Sequence, residues 1–124
     1  MTSRALSLAV ILLLVGCDAG PAVLTVSAGD GMVGFAASEL EHVKLIEERA
    51  TGVRAIRICL YGDAHDRLET FSRQHIGEKL KVSVGGTLIS QPMLREPIHV
   101  PCAHFSLPDG TDAAKLVAVL TGSN

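Results

Sequence analysis

The densest cluster of metal- and redox-competent side chains is His99-Val100-Pro101-Cys102-Ala103-His104. Two imidazoles and a thiolate at that spacing offer three ligands to zinc or copper. No second ligand pair of matching spacing accompanies them, and Cys102 has a competing fate. Cys59 and Cys102 form an even pair once Cys17 is set aside, and an even pair in an oxidising compartment suggests a disulfide. A bridged sulfur is not a thiolate ligand. The other reading is two buried free thiols, since cysteine is among the most buried residue types. Both stay open, because a bridge needs Cα atoms within about 7 Å. Ser90, His75 and Asp63 or Asp66 supply the residue types of a hydrolytic triad, but no Gly-x-Ser-x-Gly elbow presents a nucleophile. Glu47 and Glu48 are neighbours that face opposite ways on a strand, which reads as a solvated surface and not an acid–base pair. Gly29-Asp30-Gly31 lacks the lysine and the length of a phosphate loop. A non-catalytic chain with no cofactor and no resident metal is expected. The alternative is a metal- or redox-linked module built on Cys59, Cys102, His99 and His104.

Cys17 carries different chemistry. Arg4 is the only charge before Asp18, and an apolar run from Ala5 to Val15 follows it. That run has the size of a signal-peptide core and is too short for a bilayer, which needs about 20 residues. It ends in Leu14-Val15-Gly16-Cys17, which resembles the bacterial lipobox. The resemblance implies a diacylglyceryl thioether on Cys17, cleavage after Gly16, and acylation of the new amino terminus. The other reading is an ordinary signal peptide with an incidental cysteine. Two or three acyl chains anchor stably where one is marginal. Residues 1–16 are thus expected to be a lipoprotein signal peptide, residues 17–34 a lipidated N-terminus and tether, and residues 35–124 the folded domain.

Composition narrows the field further. A chain of 124 residues allows one domain. Its formal charge of −2 argues against an electrostatic nucleic-acid binder. Cleavage after Gly16 removes Arg4 and no other charge, which takes the net charge from −2 to −3. Only 3% of the residues are aromatic, too few for a base-stacking platform.

The elements that must position these residues are legible in outline. Ala22 to Ser27 reads as a strand and Gly29-Asp30-Gly31 as a turn. Ser38, followed by Glu39, Leu40 and Glu41, caps a short helix. Val43 to Arg49 fits either a helical stripe or a strand. Ala50-Thr51-Gly52 is a turn, and Val53 to Tyr61 is the clearest strand, with Ile56, Ile58 and Leu60 on one face. A helix over Ala64 to His75 follows, with Asp63 as its N-cap and Leu68, Phe71 and Ser72 on its inner side. Leu80 to Val84 and Thr87 to Ser90 form a hairpin around Gly85-Gly86. Pro92, Pro97 and Pro101 make Met93 to His99 an edge strand or extended loop. Ala103 to Leu107 is the last strand. Thr111 or Asp112 caps a terminal helix whose Ala113, Leu116, Val117 and Leu120 form an apolar stripe. The expected fold class is α+β: a small antiparallel sheet with two main helices on one face.

One stretch is more specific. Phe71 to Leu80, then Val82-Ser83-Val84-Gly85-Gly86-Thr87-Leu88-Ile89-Ser90-Gln91-Pro92, then Arg95 to Ile98, resembles the head part of the first periplasmic domain of SecD. SecD is an accessory subunit of the Sec translocon. The family's Gly-Gly, Ile-Ser-x-Pro hairpin corresponds to Gly85, Gly86, Ile89, Ser90 and Pro92, residues with structural roles. Its closing helix is echoed from Asp112 to Gly122. The resemblance covers Phe35 to Gly122 and favours the strand reading of Val43 to Arg49. Val100-Pro101-Cys102-Ala103-His104 departs from the Gly-rich step that the family has there. The family's membrane-spanning helices, which work with SecF on the proton gradient, have no counterpart here, so only the head module carries over. In the family that module is thought to touch emerging polypeptide. The lipobox and this resemblance together imply a membrane-anchored lipoprotein of the cell envelope with a SecD-head-like module, facing the periplasm in a Gram-negative cell. Its expected partners are the membrane, through the lipid on Cys17, and a polypeptide or Sec component, with no nucleic acid. An added strand at a sheet edge beside Pro92 to Pro101 is the expected mode.

The lipobox reading makes a direct prediction. Metabolic labelling with an alkyne fatty acid is expected to tag the wild-type chain, and Cys17→Ala is expected to abolish the tag. An untagged wild-type chain leaves an ordinary signal peptide.

Overall fold

The computed structural model describes residues 20–122, so Cys17 and the signal-peptide segment lie outside the described residues. Seven strands and two helices follow one another. They are β1 (Ala22–Ala28), β2 (Gly31–Ala36), β3 (Leu40–Glu47), β4 (Arg54–Leu60), α1 (Gly62–Arg73), β5 (Lys81–Val84), β6 (Thr87–Ser90), β7 (Cys102–Ser106) and α2 (Ala113–Thr121). A single 3-10 turn, Ala37–Glu39, joins β2 to β3.

The class is α+β, but the one sheet expected from the sequence is two. Four strands lie in the order β2-β1-β5-β6, and three in the order β3-β4-β7. All neighbours are antiparallel. The physical reason lies in alternation. Leu24, Val26 and Ala28 of β1, Val82 and Val84 of β5, and Ile56, Ile58 and Leu60 of β4 are buried at every second position. Each sheet thus has one apolar face, and two such faces bury more area by meeting than by lying in one plane. The two faces share a single apolar cluster with Leu68 and Phe71 of α1 and Leu116 and Leu120 of α2. Phe35, Ile56, Val82 and Leu120 are fully buried within it.

The folded part also begins earlier than the sequence suggested. The segment read as a tether supplies all of β1 and most of β2, and β1 is an interior strand between β2 and β5. The ambiguous stretch after His42 is strand β3, in register with β4 from Leu40↔Leu60 to Glu47↔Arg54. Ser38 caps no α-helix. It sits inside the 3-10 turn, where the Glu39 carboxylate accepts from the Ala36 N–H at 3.0 Å. Asp63 is not the N-cap of α1. The chain enters the helix through Tyr61, whose side chain makes no capping bond, and Asp63 lies in the first turn. There an acidic group still complements the helix dipole. Asp112 does cap α2, accepting from the Lys115 N–H at 3.2 Å, and Gly122 closes it in the left-handed conformation.

The Gly85-Gly86 hairpin is as the sequence reads. Both residues have positive φ, 57° and 86°, the pair that a tight two-residue turn between twisted strands requires. A register shift between Val82 and Ser83 gives β6 one extra residue, which buries Ile89 and leaves Leu88 outside. Ser90 is half-buried, and Pro92 ends the strand while its carbonyl accepts from the Leu80 N–H at 2.8 Å.

The two glycines differ in their surroundings. A Cβ on Gly85 would lie 3.1 Å from Val119 Cγ1, whereas a Cβ on Gly86 meets nothing within 4 Å. Gly86→Ala is therefore expected to cost about 1–2 kcal/mol for its backbone alone, and Gly85→Ala more, because the Val119 side chain must also give way. Urea unfolding midpoints of the two variants check the order.

Candidate functional site

β4 holds the centre of its sheet because it is apolar on one face and flanked on both edges. The disulfide is built on that position. Cys59 of β4 and Cys102 of β7 stand directly opposite in register, with Cα atoms 3.9 Å apart and an S–S bond of 2.08 Å. Both sulfurs are thereby removed as thiolate ligands, which undercuts the metal- or redox-linked alternative in its thiolate form. Its two histidines go elsewhere. His104 stands opposite Arg57 across the β4–β7 pair. His99 reaches back to α1, where its Nδ1 lies 2.9 Å from Glu69 Oε2.

Glu69 is a shared acceptor. Arg73, one helical turn on, donates to the same oxygen at 2.7 Å. The Arg73 hydrogen bond first, and His99 second, hold the Glu69 carboxyl below the usual carboxylate range. His65, Asp66 and Glu69 bring ligand atoms within 4.8 Å of one another. Arg73 and His99 already engage the Glu69 carboxylate, so the cluster reads as a paired helix face. His75, the base of the imagined triad, pairs instead with Glu78 at 3.1 Å.

The Pro-rich segment is an extended loop tied to α1 and to the connection between α1 and β5. Ser72 is fully buried. Its hydroxyl donates to the Glu69 carbonyl at 2.8 Å and accepts from the Ile98 N–H at 2.9 Å. The Leu94 N–H donates to the Glu78 carbonyl, and Lys79 bridges Met93. The strands on either side of this loop, β6 and β7, are both edge strands.

A second edge faces α1. Among the described residues β2 pairs only with β1. Arg67 of α1 donates to the Gly34 carbonyl of β2 at 2.8 Å and to Glu39 Oε2 at 2.6 Å, with its guanidinium 4.9 Å above the Phe35 ring. Next to this clamp lies an open groove of about 380 Å³ between β2 and α1. Met32, Val33, Thr70 and Phe71 line it, with Asp66, Arg67 and Gln74 also on its walls. Sequence reading missed this site. β2 is a short, glycine-containing run with no clean alternation, so the one signal was the turn at Gly29-Asp30 before it.

No protein-family model and no curated protein matches the chain. A solved structure of SecDF, described as a membrane component that enhances protein export, superposes with a TM-score of 0.58 at 18% identity. That match covers 71% of this chain and 40% of the other. The fold is SecD-like. A second structure, SecDF in its super-membrane-facing form, gives a TM-score of 0.58 at 17% identity. It covers 85% of this chain and 13% of the SecDF chain. This chain therefore spans less than half of either SecDF chain, and at such identities the likeness is one of fold. Among the described residues, no helix of the SecD-like domain is long and apolar enough to cross a membrane.

The clamp titrates in a defined direction. The hydrogen bond from Arg67 holds the Glu39 carboxyl below the usual range, against the opposing pull of partial burial, and the Ala36 N–H reinforces it. A lowered folded value means that the pair stabilises above the ordinary carboxylate range and that this contribution disappears as pH falls through the folded value. Glu39→Gln is expected to lose less than about 1 kcal/mol near neutral pH, the scale of a pair this open to solvent. The gap to wild type should close in acid. Urea unfolding at neutral and acidic pH reads both values.

Proposed function

We propose that this chain is a non-catalytic, membrane-anchored lipoprotein of the cell envelope whose SecD-like domain binds extended polypeptide in connection with protein export. The anchor is the lipid on Cys17. The fold supports the link to export, because the solved structures that share it belong to SecDF, a component that enhances protein export. The disulfide suits an oxidising compartment outside the cytoplasm.

The observation that carries the binding reading is the unpaired edge of β2 beside the groove against α1. An extended chain adds to an edge strand through main-chain hydrogen bonds that ignore sequence, while alternate side chains rest in an adjoining groove. Such recognition suits an unfolded segment of arbitrary sequence. Met32 and Phe71 supply apolar lining, and Asp66 and Arg67 keep the rim wet. The Arg67 bond to the Gly34 carbonyl covers the edge in the free protein and gives way to a backbone donor from the incoming strand. On this reading the added strand joins β2 and not the edge beside Pro92 to Pro101, where the loop already bonds to Ser72 and Glu78.

A photo-crosslinking residue at Met32 tests the reading, with reduced and carboxymethylated α-lactalbumin as a permanently unfolded probe. Capture is expected at Met32 well above that at the remote exposed position Glu48. Equal capture at the two positions sinks the proposal.

A further inference from the structure

The outer face of the three-stranded sheet groups two cations, Lys44 and Arg57, with two imidazoles, His42 and His104. Lys44 of β3, Arg57 of β4 and His104 of β7 stand directly opposite one another, in one row across all three strands. The neighbouring row is His42, Cys59 and Cys102, and the row on the other side is Ile46, Ala55 and Ser106. These nine side chains share the face turned away from Ile56 and Ile58, and none is acidic. His42, Lys44, His104 and Ser106 are exposed.

Aligning cationic side chains across strands is unfavourable in isolation. The row nevertheless has no compensating acid: among the described residues, no ion pair involves Lys44, Arg57, His42 or His104. The Arg57 guanidinium has one contact, to Cys102 Sγ at 3.7 Å, and its buried Nε has no partner. Arg54, Arg67 and Arg73 by contrast each bond to an oxygen acceptor. No acid among the nine strand positions of this face offsets the Arg57 charge, in a chain whose formal charge is −2.

We propose that this face docks on the anionic phospholipid headgroups of a bilayer. Three observations favour a membrane over a peptide. The face is a sheet surface, and the larger grooves are lined by other residues. An extended polyanionic surface matches a basic row that runs across three strands, whereas a peptide is gripped in a groove or at an edge. The tether is short: Cys17 lies five residues before Ala22, a reach of roughly 17 Å, which brings the domain close to the range over which surface charge acts. The tether also enters at the right end. Ala22 pairs with Ala36, and one 3-10 turn after Ala36 the chain starts β3 at Leu40, two residues before His42. The proposal rests on the anchored reading only for that proximity; the charge row stands without it.

The test uses the full chain with vesicles of phosphatidylcholine alone and with added phosphatidylglycerol. Acylation of Lys44 by an amine reagent is followed by mass spectrometry, with exposed Lys115 on α2 as the internal reference. A basic side chain near an anionic surface gains roughly five-fold in binding, so Lys44 labelling is expected to slow several-fold when phosphatidylglycerol is present. Lys115 should not respond, high salt should restore the rate, and Arg57→Gln should weaken the effect. Equal Lys44 rates in both vesicles overturn the proposal, as does an undiminished effect in Arg57→Gln. Protection in both vesicle types overturns it in favour of contact between copies of this chain. Co-sedimentation separates the two readings. A chain that binds only phosphatidylglycerol vesicles supports the face without the anchor. One that binds both with equal Lys44 rates supports the anchor without the face, and one that binds neither overturns both.

Discussion

Among the described residues no strand pair joins the two sheets, so the domain depends on apolar side chains meeting between them. Phe35, Ile56, Val82 and Leu120 are fully buried and come from β2, β4, β5 and α2. Each buried side chain of this size contributes about 1.5–3 kcal/mol relative to exposure. With no Trp and only three Phe in the chain, that layer is filled mainly by Val, Ile and Leu. Polar ties then fix how the elements sit around it. Arg67 joins α1 to β2 and the 3-10 turn, and Ser72 joins α1 to the loop before β7. Arg54 reaches the Thr111 carbonyl at the approach to α2. These ties lie around the margins of the apolar layer, where hydrogen bonds give direction more than net stability.

Much of the local structure was legible because the signals are local. Alternation in Val53 to Tyr61, the Gly85-Gly86 turn and the Asp112 cap each lie within a few residues and do not depend on the rest of the chain. β2 escaped because Gly31 and Gly34 interrupt its pattern and because its pairing with β1 decides its conformation. The capping role expected of Asp63 failed for a similar reason. β4 ends at Leu60, and the chain turns straight into α1 at Tyr61, whose backbone carbonyl accepts the His65 N–H. The number of sheets was not readable at all, since two half-buried antiparallel sheets and one larger sheet give the same alternation.

The candidate sites show the same division. Cys59 and Cys102 are evident as a pair, but only the β4–β7 register places them opposite each other. Net charge is a sum and hides arrangement. A formal −2 correctly describes an acidic chain, yet the same register assembles Lys44, Arg57 and His104 into an acid-free row. The β2–α1 groove joins residues about 40 positions apart in sequence, so no local pattern could announce it. His99 looked like a metal ligand next to Cys102, and the fold gives it to Glu69 instead.

The Cys59–Cys102 bond has a mechanical consequence. The 43-residue span that it closes contains α1, β5 and β6, elements that touch both sheets. If the domain is held at its N-terminal end and pulled from beyond Cys102, as through α2, tension along the backbone crosses the sulfur bridge and bypasses that span. A reduced chain could lengthen by roughly 140 Å more than the oxidised one, at about 3.3–3.6 Å per residue. Oxidation thus caps how far the domain can be unravelled under load and keeps the unpulled elements in place to reassemble the rest.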